Sequence, residues 1–239
     1  MPPKGVTRIS LFAFVLLLFS MAASNALAQD INPRLSFFGG ASLVSASRSF
    51  VVGPNIFTSQ FNNGIKIGVR GTANINEHWG AEAAYSFSSS GLQITQVAPS
   101  VPVPVLNYGV HLHQFTGNAL YFFTSRDNVI RPFVTAGLGV SRYSPTSDAK
   151  LNAAINFLGR PAVLTGTSEF DFNFGAGVET EPWDHFGLRF DFRDHLTGFP
   201  RFGLPESVLT PGAAFFPVSG RVQDFELTAG FVFYFESKL

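Results

Sequence analysis

The stretch Glu169-Phe-Asp-Phe-Asn-Phe-Gly-Ala-Gly-Val-Glu179 decides the fold. Phe170, Phe172, Phe174, Ala176 and Val178 fall on one face, and Glu169, Asp171, Asn173, Gly175, Gly177 and Glu179 fall on the other. A period of two residues is the mark of an extended strand with one apolar side. The opposite face is the informative one. Glycine, asparagine and carboxylates are too small and too polar to line a hydrophobic core, so the phenylalanine face must meet the apolar surroundings.

The pattern returns on both sides of this stretch. Phe186, Leu188, Phe190 and Phe192 oppose Gly187, Arg189, Asp191 and Arg193. In the last segment Phe225, Leu227, Ala229, Phe231, Phe233 and Phe235 oppose Asp224, Glu226, Thr228 and Gly230, and upstream Ile65, Ile67 and Val69 oppose Lys66, Gly68 and Arg70. Weaker strands are expected near 34–44, 79–88 and 131–143, and 108–123 reads as extended with ambiguous alternation and room for a bulge. That makes eight strands.

Short connections fall near 74–78, 124–128 and 181–185, and long ones near 45–63, 89–107, 144–168 and 197–221, in strict alternation. In an antiparallel meander every second connection lies at the same end. All short turns therefore share one end and all long loops the other, as in a transmembrane β-barrel. A lipocalin-like barrel would also use eight strands, but with the apolar residues inside around a ligand. A β-sandwich would leave the glycines and charges outside and give no reason for the loop asymmetry. The reading is an all-β, eight-stranded antiparallel up-and-down transmembrane barrel.

Composition narrows the function. The 239 residues hold 16 basic and 16 acidic side chains, 28 phenylalanines and no cysteine. Without cysteine there is no disulfide framework and no thiolate site. A balanced charge with no basic run argues against a nucleic-acid partner. Lys4 and Arg8, an apolar run over 9–23 and Ala26-Leu27-Ala28 read as a cleavable secretory signal, with the mature barrel domain over 29–239 beginning at Gln29. No later window is apolar for long enough to make a spanning helix.

Phe174-Gly-Ala-Gly-Val-Glu179 and Phe186-Gly-Leu-Arg-Phe-Asp-Phe-Arg193 resemble segments of the small outer-membrane β-barrel family, which includes the barrel domain of outer membrane protein A and its minimal single-barrel relatives. The last strand carries the most specific likeness. Thr228, Gly230, Phe233 and Phe235 are similar to the terminal signal read by the barrel assembly machinery, although Glu236–Leu239 continue past the usual final aromatic. The resemblance implies the outer membrane of a Gram-negative-type bacterium, a wall in contact with lipid, assembly by that machinery and long extracellular loops.

Within that frame each candidate residue has a place. Trp79, Tyr121, Phe123 and Trp183 lie by the short turns and are expected to form an aromatic girdle at the membrane interface. Lys66, Arg70, Arg189 and Arg193, with Glu82, Asp171, Glu179, Asp191, Asp224 and Glu226, are expected to form a charge network in the lumen. Hairpins centred near Asn76 and Asp184 would set Arg70 opposite Glu82 and Glu179 opposite Arg189. An eight-stranded barrel leaves room for little more than side chains, so the network is read as a polar plug, with a narrow diffusion channel as the alternative.

His111 and His113 could present two imidazoles to a metal, but no third ligand is near. His195-x-Thr197 resembles the sites of outer-membrane lipid A deacylases, with threonine where those carry serine. No catalytic residue, metal or cofactor is expected. The loops are unusually apolar: Val97–Val105 is rich in proline and valine, Asp148–Leu158 suits a short helix, and Leu204–Val218 contains Ala213-Ala-Phe-Phe216. Such segments either present a contact surface for an unnamed extracellular partner or pack on each other over the barrel mouth.

Overall fold

The computed structural model describes residues 32–98, 103–183 and 185–235. The signal segment, Gln29, Asp184 and Glu236–Leu239 lie outside these described residues. Ten strands and one helix follow in order: β1 (Asn32–Ser45), β2 (Ser47–Val52), β3 (Asn55–Phe61), β4 (Gly64–Asn74), β5 (Trp79–Ala98), β6 (Val103–Phe122), β7 (Ile130–Pro145), α1 (Ser147–Ile155), β8 (Thr167–Trp183), β9 (Phe186–Gly198) and β10 (Arg221–Tyr234). All pairings are antiparallel. Eight of the strands close a ring in the order β5-β4-β1-β10-β9-β8-β7-β6, sealed by β5 against β6. Closure removes the exposed strand edges that a flat sheet would leave in lipid.

The wall is apolar outside and polar inside. Ile65, Phe115, Leu138, Phe170, Phe190, Leu227 and Phe231 are exposed on its outer face. Their neighbours along the strands, among them Lys66, Gln114, Asp171, Arg189, Asp191 and Thr228, are buried in the lumen. The short connections all lie at one end. Between β4 and β5, Asn76 Oδ1 accepts from the backbone N–H groups of His78 (3.0 Å) and Trp79 (2.8 Å), which fixes a tight turn without regular secondary structure.

The other end departs from the expected loops. The segment 45–63 contains the β2–β3 hairpin, and β3 pairs with the far end of β5, Phe61 opposite Leu92. Most of 89–107 is strand, because β5 and β6 each run for 20 residues and stand well above their neighbours. Register shifts occur between Ile94 and Thr95 and between Ile56 and Phe57, whereas β6 pairs without a break from Leu106 to Tyr121.

The ambiguous alternation of 108–123 has a physical cause. In β6 the inward residues are Tyr108, Val110 and Leu112, then Gln114, Thr116 and Asn118, while the outward ones are His111 and His113, then Phe115. The polarity of the two faces inverts halfway up the strand. The same inversion separates Tyr143 from Ser141 on β7 and Val222 from Asp224 on β10. Above that level the apolar residues point inward and meet the folded loops.

There they form one core. Phe216 is fully buried at its centre, with ring centroids 5.4 Å from Phe50, 5.6 Å from Phe157 and 6.2 Å from Phe199. Phe61, Leu92, Ile94, Leu164 and Val218 fill the space around them. Helix α1 is capped by Thr146, whose side chain accepts from the Ala149 N–H, and buries Ala149 and Ala153 against this core. The apolar loops thus pack on each other as a cap.

Candidate functional site

The lumen below the cap is a continuous polar network in three layers. Lowest, Arg34 pairs with Glu179 and donates to Asn74 Oδ1 at 2.6 Å, while the Tyr234 hydroxyl donates to Glu179 at 3.1 Å. In the middle, Arg189 lies 2.8 Å from Glu82 and 3.0 Å from Asp191, and Arg193 lies 2.9 Å from both carboxylates. Arg70 reaches Asp191 at 2.9 Å and also pairs with Glu226. In the top layer Lys66 sits 2.9 Å from Asp224 and 3.2 Å from Glu226. There the Ser141 hydroxyl donates to Asp171 at 2.6 Å, and His195 Nδ1 lies 3.1 Å from the same carboxylate.

Six buried cations (Arg34, Lys66, Arg70, Arg131, Arg189, Arg193) face six buried anions (Glu82, Asp171, Glu179, Asp191, Asp224, Glu226) in this interior. Balance matters here, because a charge removed from water without a partner costs several kcal/mol (about 3–5 when one member of a pair is deleted). Little space is left over. Two cavities lie along the axis, one among Arg70, Gln114, Arg193 and Glu226 and one beneath the cap among Phe61, Tyr143 and Val222, each of about 10 Å³. Each is about the volume that one water centre occupies.

Glycines give the network its floor. The Phe38 ring occupies the space that a side chain at Gly68 would take and carries the Arg70 guanidinium 3.6 Å from its centroid. Phe133 lies over Gly177 in the same way, beneath Arg189 at 4.4 Å. A methyl group at either glycine would strike the ring and a cross-strand carbonyl oxygen, that of Tyr85 or of Phe190. These residues let aromatic rings lie along the wall, where each supports a cation.

The structure brings all ten sequence-expected lumen charges into this interior, but not in both expected pairs. Glu179 stands opposite Arg189 in register, with a 3.8 Å charge contact. Arg70 stands opposite Ala84, and Glu82 stands opposite Thr72. The expected Arg70–Glu82 pair is therefore corrected. The turn closes with Asn74 opposite Gly80, one residue later than a hairpin centred on Asn76 would place it, and so partners shift by two. Arg34, Arg131 and His195 join the network although sequence reasoning did not place them there. Arg34 shares its face with Ser36 and Ser42, a short alternation that could have revealed it.

Trp79 and Tyr121 are cross-strand partners with ring centroids 5.1 Å apart, and Phe123 packs 5.5 Å beyond Tyr121. Trp183 is exposed at the foot of β8, opposite Phe186. All four project from the outer wall at the short-turn end. Of the terminal-strand residues, Thr228 faces the lumen and accepts from Arg70 at 3.2 Å. Gly230 leaves room for Phe38, and Phe233 and Phe235 face outward. His111 and His113 also face outward, and no group of three metal-ligating side chains occurs among the described residues. Thr197 shares a 2.7 Å hydrogen bond with the Tyr143 hydroxyl, and His195 is enclosed by the network, so the two do not meet the outer surface as a lipid-processing pair would.

Several solved structures are similar to this chain, among them the following three. Neisserial surface protein A shares 15% identity with a TM-score of 0.46, covering 86% of this chain and 99% of its own. OprG from Pseudomonas aeruginosa shares 11% at 0.49, covering 87% and 95%. The attachment invasion locus protein Ail of Yersinia pestis, solved with the heparin analogue sucrose octasulfate, shares 13% at 0.43, covering 86% and 100%. No curated protein sequence matches the chain. A family model described as the outer membrane protein beta-barrel domain matches residues 14–233. A closed ring with an apolar exterior and a charged interior is the form such a domain takes in lipid, and the chain accordingly belongs to the outer membrane protein beta-barrel domain family, a barrel of the bacterial outer membrane.

Proposed function

We propose that this protein is a non-conducting, non-catalytic barrel that serves outer-membrane structure and surface interaction through a folded extracellular cap. The observation that carries this reading is the charge-balanced, solvent-poor lumen, in which six cations and six anions are buried together. A channel needs a continuous water path. Here two spaces of about 10 Å³ each are lined by charged and polar side chains in the lumen and by apolar residues beneath the Phe216 core, too small for a wide water path. The exposed flanks of the cap, Val51 and Ile56 on the hairpin and Leu151 and Ile155 on α1, then offer the surface for contact. Trp79, Tyr121, Phe123 and Trp183 would anchor the barrel at the periplasmic interface. Thr228, Gly230, Phe233 and Phe235 would carry the assembly signal.

Planar-bilayer recording tests the closed lumen. The intact protein and a variant with residues 205–215 removed are both expected to show no steady open state. Steady conductance that survives loop removal would overturn the plug in favour of the narrow diffusion channel.

A further inference from the structure

We propose that His111, His113 and Arg142 form a site on the outer wall for the phosphate of a lipid headgroup in the outer leaflet. The inference rests on the reading that the capped end is extracellular. Its basis is where the wall changes polarity. Going up the outer face, the last apolar residues are Phe87 on β5, Phe115 on β6, Val140 on β7 and Phe170 on β8. The next outward residues are Ser89, His113, Arg142 and Ser168. His113 lies eight residues above Tyr121, a rise of about 20 Å in a strand tilted by about 40°. An apolar band in these barrels is about 25 Å tall, so His113 stands just inside its upper edge and His111, two residues higher at about 26 Å, reaches the level of the headgroups.

The three side chains converge. His113 and Arg142 are direct cross-strand partners, and His111 lies diagonally from Arg142 at a Cβ separation of about 7–8 Å. Both imidazoles are held by packing on the Phe87 ring, with centroids 5.3 and 5.2 Å away. The Tyr85 hydroxyl lies 3.0 Å from His113 Nδ1, which leaves Nε2 as the free ring nitrogen. His111 Nδ1 is shielded from solvent and has no partner among the described residues. Arg142 is exposed and bonds the Ser168 hydroxyl at 3.2 Å; no carboxylate pairs with it among the described residues. Its row and the next, Ser89, His111 and Ser144, carry no acidic side chain. A guanidinium without a carboxylate partner, flanked by two imidazoles held in place near headgroup height, is the arrangement that a phosphate oxygen cluster selects.

The experiment uses the protein extracted from membranes, with native mass spectrometry after incubation with bis-phosphorylated lipid A or with its dephosphorylated counterpart. The phosphorylated lipid is expected to be retained preferentially. Arg142→Gln and the pair His111→Gln/His113→Gln should each lower that retention about tenfold. Arg142→Lys should keep part of it, and Arg201→Gln on the cap should change nothing. Heat-modifiable migration confirms that each variant is folded. Equal retention of the two lipids, an unchanged Arg142→Gln variant, or displacement by inorganic phosphate at lipid-equivalent concentration would overturn the site. Protease access to the cap on intact cells reads orientation separately. A cap cut from outside, combined with no lipid preference, sinks the headgroup site alone.

Discussion

Arg189 lies 2.8 Å from Glu82 across the lumen, although β9 and β5 are not neighbours in the wall. The pair ties two halves of the barrel together through its interior. Alanine at either position leaves the other charge with its remaining partners only, Arg193 for Glu82 and Asp191 and Glu179 for Arg189, and unbalances the buried network, which should cost about 3 kcal/mol. The double variant should lose clearly less than the two singles combined. A cycle on Arg70 and Glu82 should show weaker coupling, since Arg70 bonds Asp191 and Glu226 instead. Urea unfolding in lipid vesicles measures both. Additive losses at Glu82 and Arg189 would mean a wet lumen with independent charges.

The glycine floor gives a second expectation. Gly68→Ala and Gly177→Ala each push a methyl group into a phenylalanine ring and should destabilise the barrel by about 1–3 kcal/mol. Gly177→Ala combined with Phe133→Leu should recover part of the loss, because part of the clash is with that ring and the rest is with the Phe190 carbonyl oxygen. If both glycine variants unfold at the wild-type urea midpoint, the rings do not lie on the wall.

Phe216 holds the cap, so its removal should loosen the cap and leave the barrel intact. Phe216→Ala removes a fully buried ring at a cost of about 3–5 kcal/mol. Limited proteolysis should then cut within 199–220 while heat-modifiable migration persists. A variant that stays as protease-resistant as wild type would show that the loops do not depend on this core.

Cysteine scanning reads the two faces and the level at which they invert. Cysteines at Phe172, Phe190 and Phe231 should react with lipid-soluble probes, and those at Gly175, Arg189 and Thr228 should not. Higher on β6, a cysteine at His111 should take a water-soluble reagent and one at Leu112 should take neither, since Leu112 is buried beneath the cap. Lipid labelling at Leu112 would place the membrane boundary above it and remove the inversion.

The alternation of Glu169–Glu179 was enough to specify a strand, its lipid-facing side and its polar inner side, because each strand meets lipid on one face and protein on the other and period two records that contact. The order of short and long connections extended this local pattern to a closed meander. Three things needed the tertiary structure. The first is the Arg70 register, which hangs on one residue of turn geometry at Asn74–Gly80, where a shift of the centre by one moves every partner by two. The second is the cap, invisible to a reading based on membrane alternation because Leu112 and Val222 turn inward where the surroundings change from lipid to water. The third is the pairing of Glu82 with Arg189 and Arg193. Sequence can say that both signs of charge face one lumen, but which charge meets which depends on barrel curvature and stagger, and these exist only once the ring has closed.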